Sequence, residues 1–149
     1  MRLLGLTVLV VEDDVDNLEL ISSFLEGEGA RTLSAGSIAG ALALCNGQKL
    51  DAIVSDLELP DGDGCELLNQ LKSRDGVEAP AIAVSGYSEQ KWRNRAADCG
   101  FERYAVKPFS LATLADWIAE LSRAHDPRDA AAASHSSPLL RVAGARLPR

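Results

Sequence analysis

Five short apolar runs alternate with five stretches of helical spacing along the first 124 residues, and this alternation limits the fold more than any other feature. The apolar runs are Leu6–Val11, Ala30–Ser34, Ala52–Ser55, Ala81–Ser85 and Phe101–Val106. Between and after them lie Val15–Glu26, Ile38–Cys45, Cys65–Lys72, Ser88–Cys99 and Leu111–Ala124, whose patterns read as helices. Leu18, Ile21, Ser22 and Leu25 share one face of the first helix, and Leu114, Trp117, Ile118 and Leu121 share one face of the last. Ser37 and Ser110 stand where N-caps belong, and Gly27, Asn46-Gly47 and Gly100 stand where helices should stop. Strands separated by helices cannot pair as tight hairpins. They form a parallel sheet through right-handed crossovers, with helices on both faces. The expected class is therefore α/β, with Leu57–Gly64 as a turn-rich loop.

Residues 125–149 break the pattern. They are rich in Ala, Ser, Pro and Arg, and the expectation is a disordered tail after a folded unit spanning 1–124, with a short alanine helix around Ala130–Ala133 as the second reading. Residues 124–149 carry four Arg and two Asp, a net of +2, so the formal charge of −7 leaves −9 on the rest. An acidic body repels phosphate backbones, which argues against direct nucleic-acid binding. The run Leu3–Val11 is too short for a membrane span and ends in Glu12-Asp13-Asp14 rather than a cleavage site, so neither an anchor nor a signal peptide is expected. Cys45, Cys65 and Cys99 are odd in number and far apart, which fits reduced thiols in a cytoplasmic protein.

Open parallel sheets gather ligands at the carboxyl ends of their strands. Just past those ends lie Glu12, Asp13 and Asp14 after the first strand, Asp56 after the third, Ser85 closing the fourth and Lys107 after the fifth. Each has an ordinary explanation taken singly: an N-cap for Asp14, a turn residue for Asp56 or Ser85, a solvated lysine for Lys107. Their joint placement is harder to assign to turns. Several carboxylates in one cleft repel one another, and a hard divalent cation removes the conflict. Mg²⁺ takes oxygen ligands and suits phosphate chemistry. In such a pocket Asp56 is a candidate nucleophile, Lys107 a fixed positive charge and Ser85 a hydroxyl donor.

The segments VLVVEDD (Val8–Asp14), VSDLELPDGDG (Val54–Gly64), AVSGYS (Ala83–Ser88) and YAVKPF (Tyr104–Phe109) together resemble the receiver domains of two-component response regulators, over about residues 5–124. The resemblance implies a doubly wound, flavodoxin-like (βα)5 fold with a five-stranded parallel sheet of order 2-1-3-4-5. It implies that Asp56 is the phosphoacceptor, that Glu12 and Asp13 hold Mg²⁺ with Asp13 the direct ligand, and that Asp56 and the Glu58 backbone carbonyl complete the protein ligands. Ser85 matches the switch hydroxyl, Tyr104 the switch aromatic, Lys107 the family's lysine, and Pro108 a proline that follows a cis peptide bond. Glu58 and Tyr87 match positions flanking the path of the water that hydrolyses the acyl phosphate. The implied partners are a sensor histidine kinase or histidine phosphotransfer protein, a downstream protein target, and a second copy through the face of the fourth helix, fifth strand and fifth helix. The resemblance implies a signalling module with no output domain in this chain rather than a turnover enzyme.

Other motifs fail. Asp61-Gly62-Asp63-Gly64 lacks the frame of a calcium loop, and Tyr87 with Lys91 forms a YxxxK pair without any dinucleotide phosphate loop. His125 and His135 are the only histidines and lie in the tail, which argues against a histidine-based hydrolase. The enzyme alternative is a small Mg²⁺ phosphohydrolase of the haloacid-dehalogenase type, with Asp56 as nucleophile and Glu58 as the acid two residues later. The short chain and lack of a cap segment count against it.

Overall fold

The computed structural model describes residues 1–126, so the reading of residues 127–149 as a tail lies outside the described residues. The chain runs β1 (Thr7–Val11), α1 (Val15–Gly27), β2 (Arg31–Ala35), α2 (Ile38–Cys45), β3 (Ala52–Asp56), β4 (Glu58–Leu59), β5 (Gly62–Asp63), α3 (Gly64–Asp75), β6 (Ala81–Ser85), α4 (Gln90–Cys99), β7 (Arg103–Val106) and α5 (Leu111–Ala124). The main sheet holds five parallel strands in the order β2-β1-β3-β6-β7, which is the expected 2-1-3-4-5 once the small β4–β5 hairpin is set aside. That hairpin lies in the segment expected to be only a loop.

The apolar runs are buried because both sheet faces are covered. On one face Leu9, Val11, Ile53, Ala81 and Ala83 pack with α2 and α3; on the other Val8, Val10, Val54, Ile82 and Val84 pack with α1 and α5. Successive strand residues point to opposite faces, so a strand covered on both sides needs apolar residues at every position. β3 and β6 are buried at all five positions each, and they are the central strands on which the site stands.

Caps fix where each helix starts. The Asp14 carboxylate accepts from Asp16 and Asn17 N–H at the start of α1, and Ser37 and Ser110 accept from Gly40 and Thr113 N–H. The Asp61-Gly62-Asp63-Gly64 segment, which failed as a calcium loop, serves two helices: Asp61 accepts from Ile38 and Ala39 N–H at 2.8 and 3.0 Å, and Asp63 accepts from Glu66 N–H at 2.8 Å. Those two N–H bonds hold the Asp61 carboxyl below the usual carboxylate range. Gly64 is needed for space, since a Cβ there would stand 2.7 Å from the Asp56 carbonyl oxygen.

One expectation is corrected. Cys65 and Cys99 form a disulfide, and only Cys45 is a free thiol. The 34-residue separation conceals that the start of α3 and the end of α4 are neighbours in space, with Cα atoms 5.6 Å apart. Cysteine spacing therefore no longer supports a reducing compartment for this chain. No helix among the described residues is long and apolar enough to cross a membrane.

Candidate functional site

Three strand ends build the site. β1 delivers Glu12 and Asp13, β3 ends in Asp56, and Lys107 directly follows β7. The Lys107 ammonium donates to Glu12 Oε1 and to Asp56 Oδ2, each at 2.7 Å. Glu12, Asp13 and Asp56 each offer a carboxylate oxygen within 4.8 Å of the other two. Glu12 is 1% exposed and Asp56 7%, whereas Asp13 is open to solvent.

The electrostatics follow from that burial. Burial, then the neighbouring Asp56 carboxylate, push the Glu12 carboxyl up to about 7 against the opposing pull of Lys107. Burial works against the Lys107 ammonium, but the Asp56 and Glu12 carboxylates outweigh it and hold that group above its ordinary range. One lysine thus faces three acids. Glu12 Oε2 is the one buried side-chain polar atom among the described residues without a hydrogen-bond partner. A buried acceptor without a donor is costly, and an oxygen-only donor set beside it fits a hard cation such as Mg²⁺.

The backbone completes the floor. Glu58 N–H donates to Asp56 Oδ1 at 2.9 Å, so Asp56 receives one bond at each oxygen. Ser55 Oγ donates to the Asp56 carbonyl, and Gly64 N–H donates to the Leu57 carbonyl. Ser85 is buried at the end of β6, where its hydroxyl accepts from Tyr87 N–H at 3.0 Å. Its carbonyl accepts from Lys107 N–H at 2.7 Å, which ties the serine strand to the lysine strand. The peptide bond between Lys107 and Pro108 is cis, as expected.

Tyr104 lies half-buried on β7, and its hydroxyl donates to the Tyr87 carbonyl at 2.6 Å. Glu12, Asp13, Asp56 and Lys107 are thus brought into one cluster, while Ser85, Tyr87 and Tyr104 form an adjoining chain of contacts. The sequence reading missed how that chain reaches α4. Tyr87 stacks on Trp92 with ring centroids 4.8 Å apart, and the Arg93 guanidinium lies 4.9 Å from the centre of the Tyr104 ring. No sequence signal pairs these residues, because the loop between β6 and α4 decides which helix face they meet. The Glu58 carboxylate, hydrogen-bonded to the Tyr87 hydroxyl, pushes that phenol above its ordinary range.

Known proteins resemble this chain in sequence and fold. A family model described as the response regulator receiver domain matches residues 8–119. The KDP operon transcriptional regulatory protein KdpE of Escherichia coli is 36% identical over 107 residues, which cover 72% of this chain and 47% of KdpE. The chain thus spans about half the length of that relative. The polar-differentiation response regulator DivK of Brucella anthropi is 30% identical over 113 residues, covering 75% of this chain and 92% of DivK. Among solved structures, the receiver domain of the Francisella response regulator 1452 matches with a TM-score of 0.75 at 29% identity, over 82% of this chain and all of that one. With the acidic cluster at the strand ends, the sheet order and the family match in agreement, the chain belongs to the response regulator receiver domain family.

Proposed function

We propose that this chain receives a phosphoryl group on Asp56 from a phosphohistidine of a sensor kinase or histidine phosphotransfer protein, and passes the signal to a protein target through its α4, β7 and α5 face. The observation that carries this reading is the Lys107 ammonium held 2.7 Å from both Glu12 and Asp56 beside the Asp13 carboxylate. In the transfer, the phosphorus–nitrogen bond of the donor breaks and a bond forms from phosphorus to an Asp56 oxygen; the electron pair returns to the imidazole. Asp13 and Asp56, with the Glu58 carbonyl, would hold Mg²⁺, and Glu12 would support it. Bound there, Mg²⁺ neutralises charge on the transferring phosphoryl oxygens.

This chain's own residues supply the rest. Glu58 N–H and Lys107 orient the Asp56 carboxylate from opposite oxygens. Once Asp56 carries the phosphoryl group as an acyl phosphate, Lys107 can turn to the new phosphoryl oxygens, since one of its two carboxylate partners has lost its carboxylate charge. Ser85, one strand over, has the hydroxyl to meet a third oxygen when it releases Tyr87 N–H. That release frees Tyr104 as well, because its hydroxyl rests on the Tyr87 carbonyl. Phosphorylation thus acts as a local charge change on an element with two arrangements. The chemistry is stoichiometric, so the reading includes no turnover of free phosphate esters. Intracellular residence and pairing of two copies through the same face belong to this proposal too.

Incubation with acetyl phosphate and Mg²⁺ tests it. The expected result is a gain of one phosphoryl group in the intact mass of the wild type and none in Asp56→Asn. Equal labelling of the two proteins would overturn the assignment. Mg²⁺ should also raise the melting temperature of the wild type, by a margin that Asp13→Asn largely removes, because a ligand that binds only the folded state stabilises it.

A further inference from the structure

The Cys65–Cys99 disulfide has no part in the proposed phosphoryl chemistry, yet it sits at a telling place. It joins the second residue of α3 to the last residue of α4. α4 buries little apolar surface of its own. Ala96 is its only buried residue, its sequence is mostly polar, and one exposed ion pair, Arg95 with Asp63, links it to the start of α3. Its first half carries Trp92 and Arg93, the residues that touch Tyr87 and Tyr104. One end of the helix therefore meets the Ser85 contacts, and the other end is bonded to a neighbouring helix.

The disulfide lies at the protein surface. Both cysteines are half-buried rather than enclosed, and they border an open surface depression with Lys91, Asn94, Arg95 and Asp98. Cys65 also stands at the positive end of the α3 dipole, a setting in which cysteine sulfur attacks disulfides readily. Cys45, by contrast, is buried, and burial pushes its thiol up to about 11, which leaves it inert.

We propose that Cys65 and Cys99 form a reversible redox latch that pins the end of α4 to α3 and so restrains the helix that reads the state of Ser85. The oxidant is a low-molecular-weight disulfide of the glutathione class. The reduced Cys65 sulfur attacks one of its sulfurs and expels one thiolate; the Cys99 sulfur then attacks Cys65 in the mixed disulfide and expels the second. The protein loses two electrons and two protons, and the small disulfide leaves as two thiols. With the latch closed, α4 is held in the arrangement described above. With it open, Ala96 and the non-covalent contacts, among them the Trp92 stack and the Arg93–Tyr104 contact, retain it. The effect on signalling rests on the reading of Asp56 as phosphoacceptor; the latch itself does not.

The test uses the full chain equilibrated with either glutathione disulfide or reduced glutathione. Alkylation and mass measurement should show Cys65 and Cys99 converting together, with Cys45 unchanged. Stable mixed disulfides in place of the internal bond would overturn the latch. Hydrogen exchange should run several-fold faster at residues 90–99 in the reduced protein, with residues 111–124 unaffected. Identical exchange at residues 90–99 would also overturn it. Titration with beryllofluoride and Mg²⁺, read by tryptophan fluorescence, should show several-fold tighter binding in the reduced wild type. Cys65→Ser should bind as the reduced form does in either buffer. Equal binding in both redox states would remove the coupling to the site. Absence of binding in both would count against Asp56 as acceptor, while the exchange measurement still judges the latch.

Discussion

α4 and α5 border the same edge strand, β7, and are held by different means. α5 buries Leu114, Ala115, Ile118, Ala119 and Leu121 against the sheet, whereas α4 buries Ala96 alone. α5 owes its position to apolar surface removed from water, a force that acts in any arrangement that keeps the face covered. α4 owes its position to particular contacts: a ring stack, a cation over a ring, an exposed ion pair and a disulfide. The three non-covalent contacts can be exchanged one by one at small cost, and the disulfide can be opened by reduction. The difference marks α5 as the fixed wall of this face and α4 as its adjustable one.

The contrast can be broken by mutation. Ile118→Ala should cost about 2–5 kcal/mol in denaturant unfolding, as emptied core positions do, in either redox state. Cys65→Ser should cost about 3 kcal/mol relative to the oxidised wild type, and nothing comparable relative to the reduced protein, because the bridge acts on the unfolded chain. Trp92→Ala, at the half-buried stack on Tyr87, should cost under about 1 kcal/mol by the same unfolding measurement. Arg95→Ala should cost least, about 0.2–1 kcal/mol, and less still in high salt. A Trp92→Ala penalty equal to that of Ile118→Ala would erase the distinction between the two helices. A Cys65→Ser penalty that persists under reduction would assign the loss to packing rather than to the bridge.

The elements that were legible from sequence are those whose signals are local. Ile38–Cys45, Ala81–Ser85 and Leu111–Ala124 were placed to the residue, because a capping serine or a bounding proline and an apolar pattern coincide there. Phe101 and Glu102 open the run of the last strand in sequence but precede the strand in the fold, since Gly100 reverses the chain with φ of 115° and Phe101 drops into the α3 side of the core. α4 starts at Gln90 rather than Ser88, because Glu89 is still extended at the cap. Glu12, Asp13, Asp56 and Lys107 could be collected in advance because the rule that places them, the carboxyl ends of parallel strands, needs only the element order. The Tyr87–Trp92 stack, the Arg93–Tyr104 contact and the disulfide were not visible, because each depends on how one loop turns a helix about its axis.

The lysine that reaches Glu12 lies 95 residues further along the chain, on the far side of four crossovers. No partly synthesised or partly unravelled polypeptide can assemble that pairing, since β7 must already lie against β6 before the ammonium can arrive. A ribosome-bound chain therefore lacks this ammonium–carboxylate cluster until its last strand has docked, and a damaged one loses it again. The intact cluster doubles as a certificate that the whole sheet has formed.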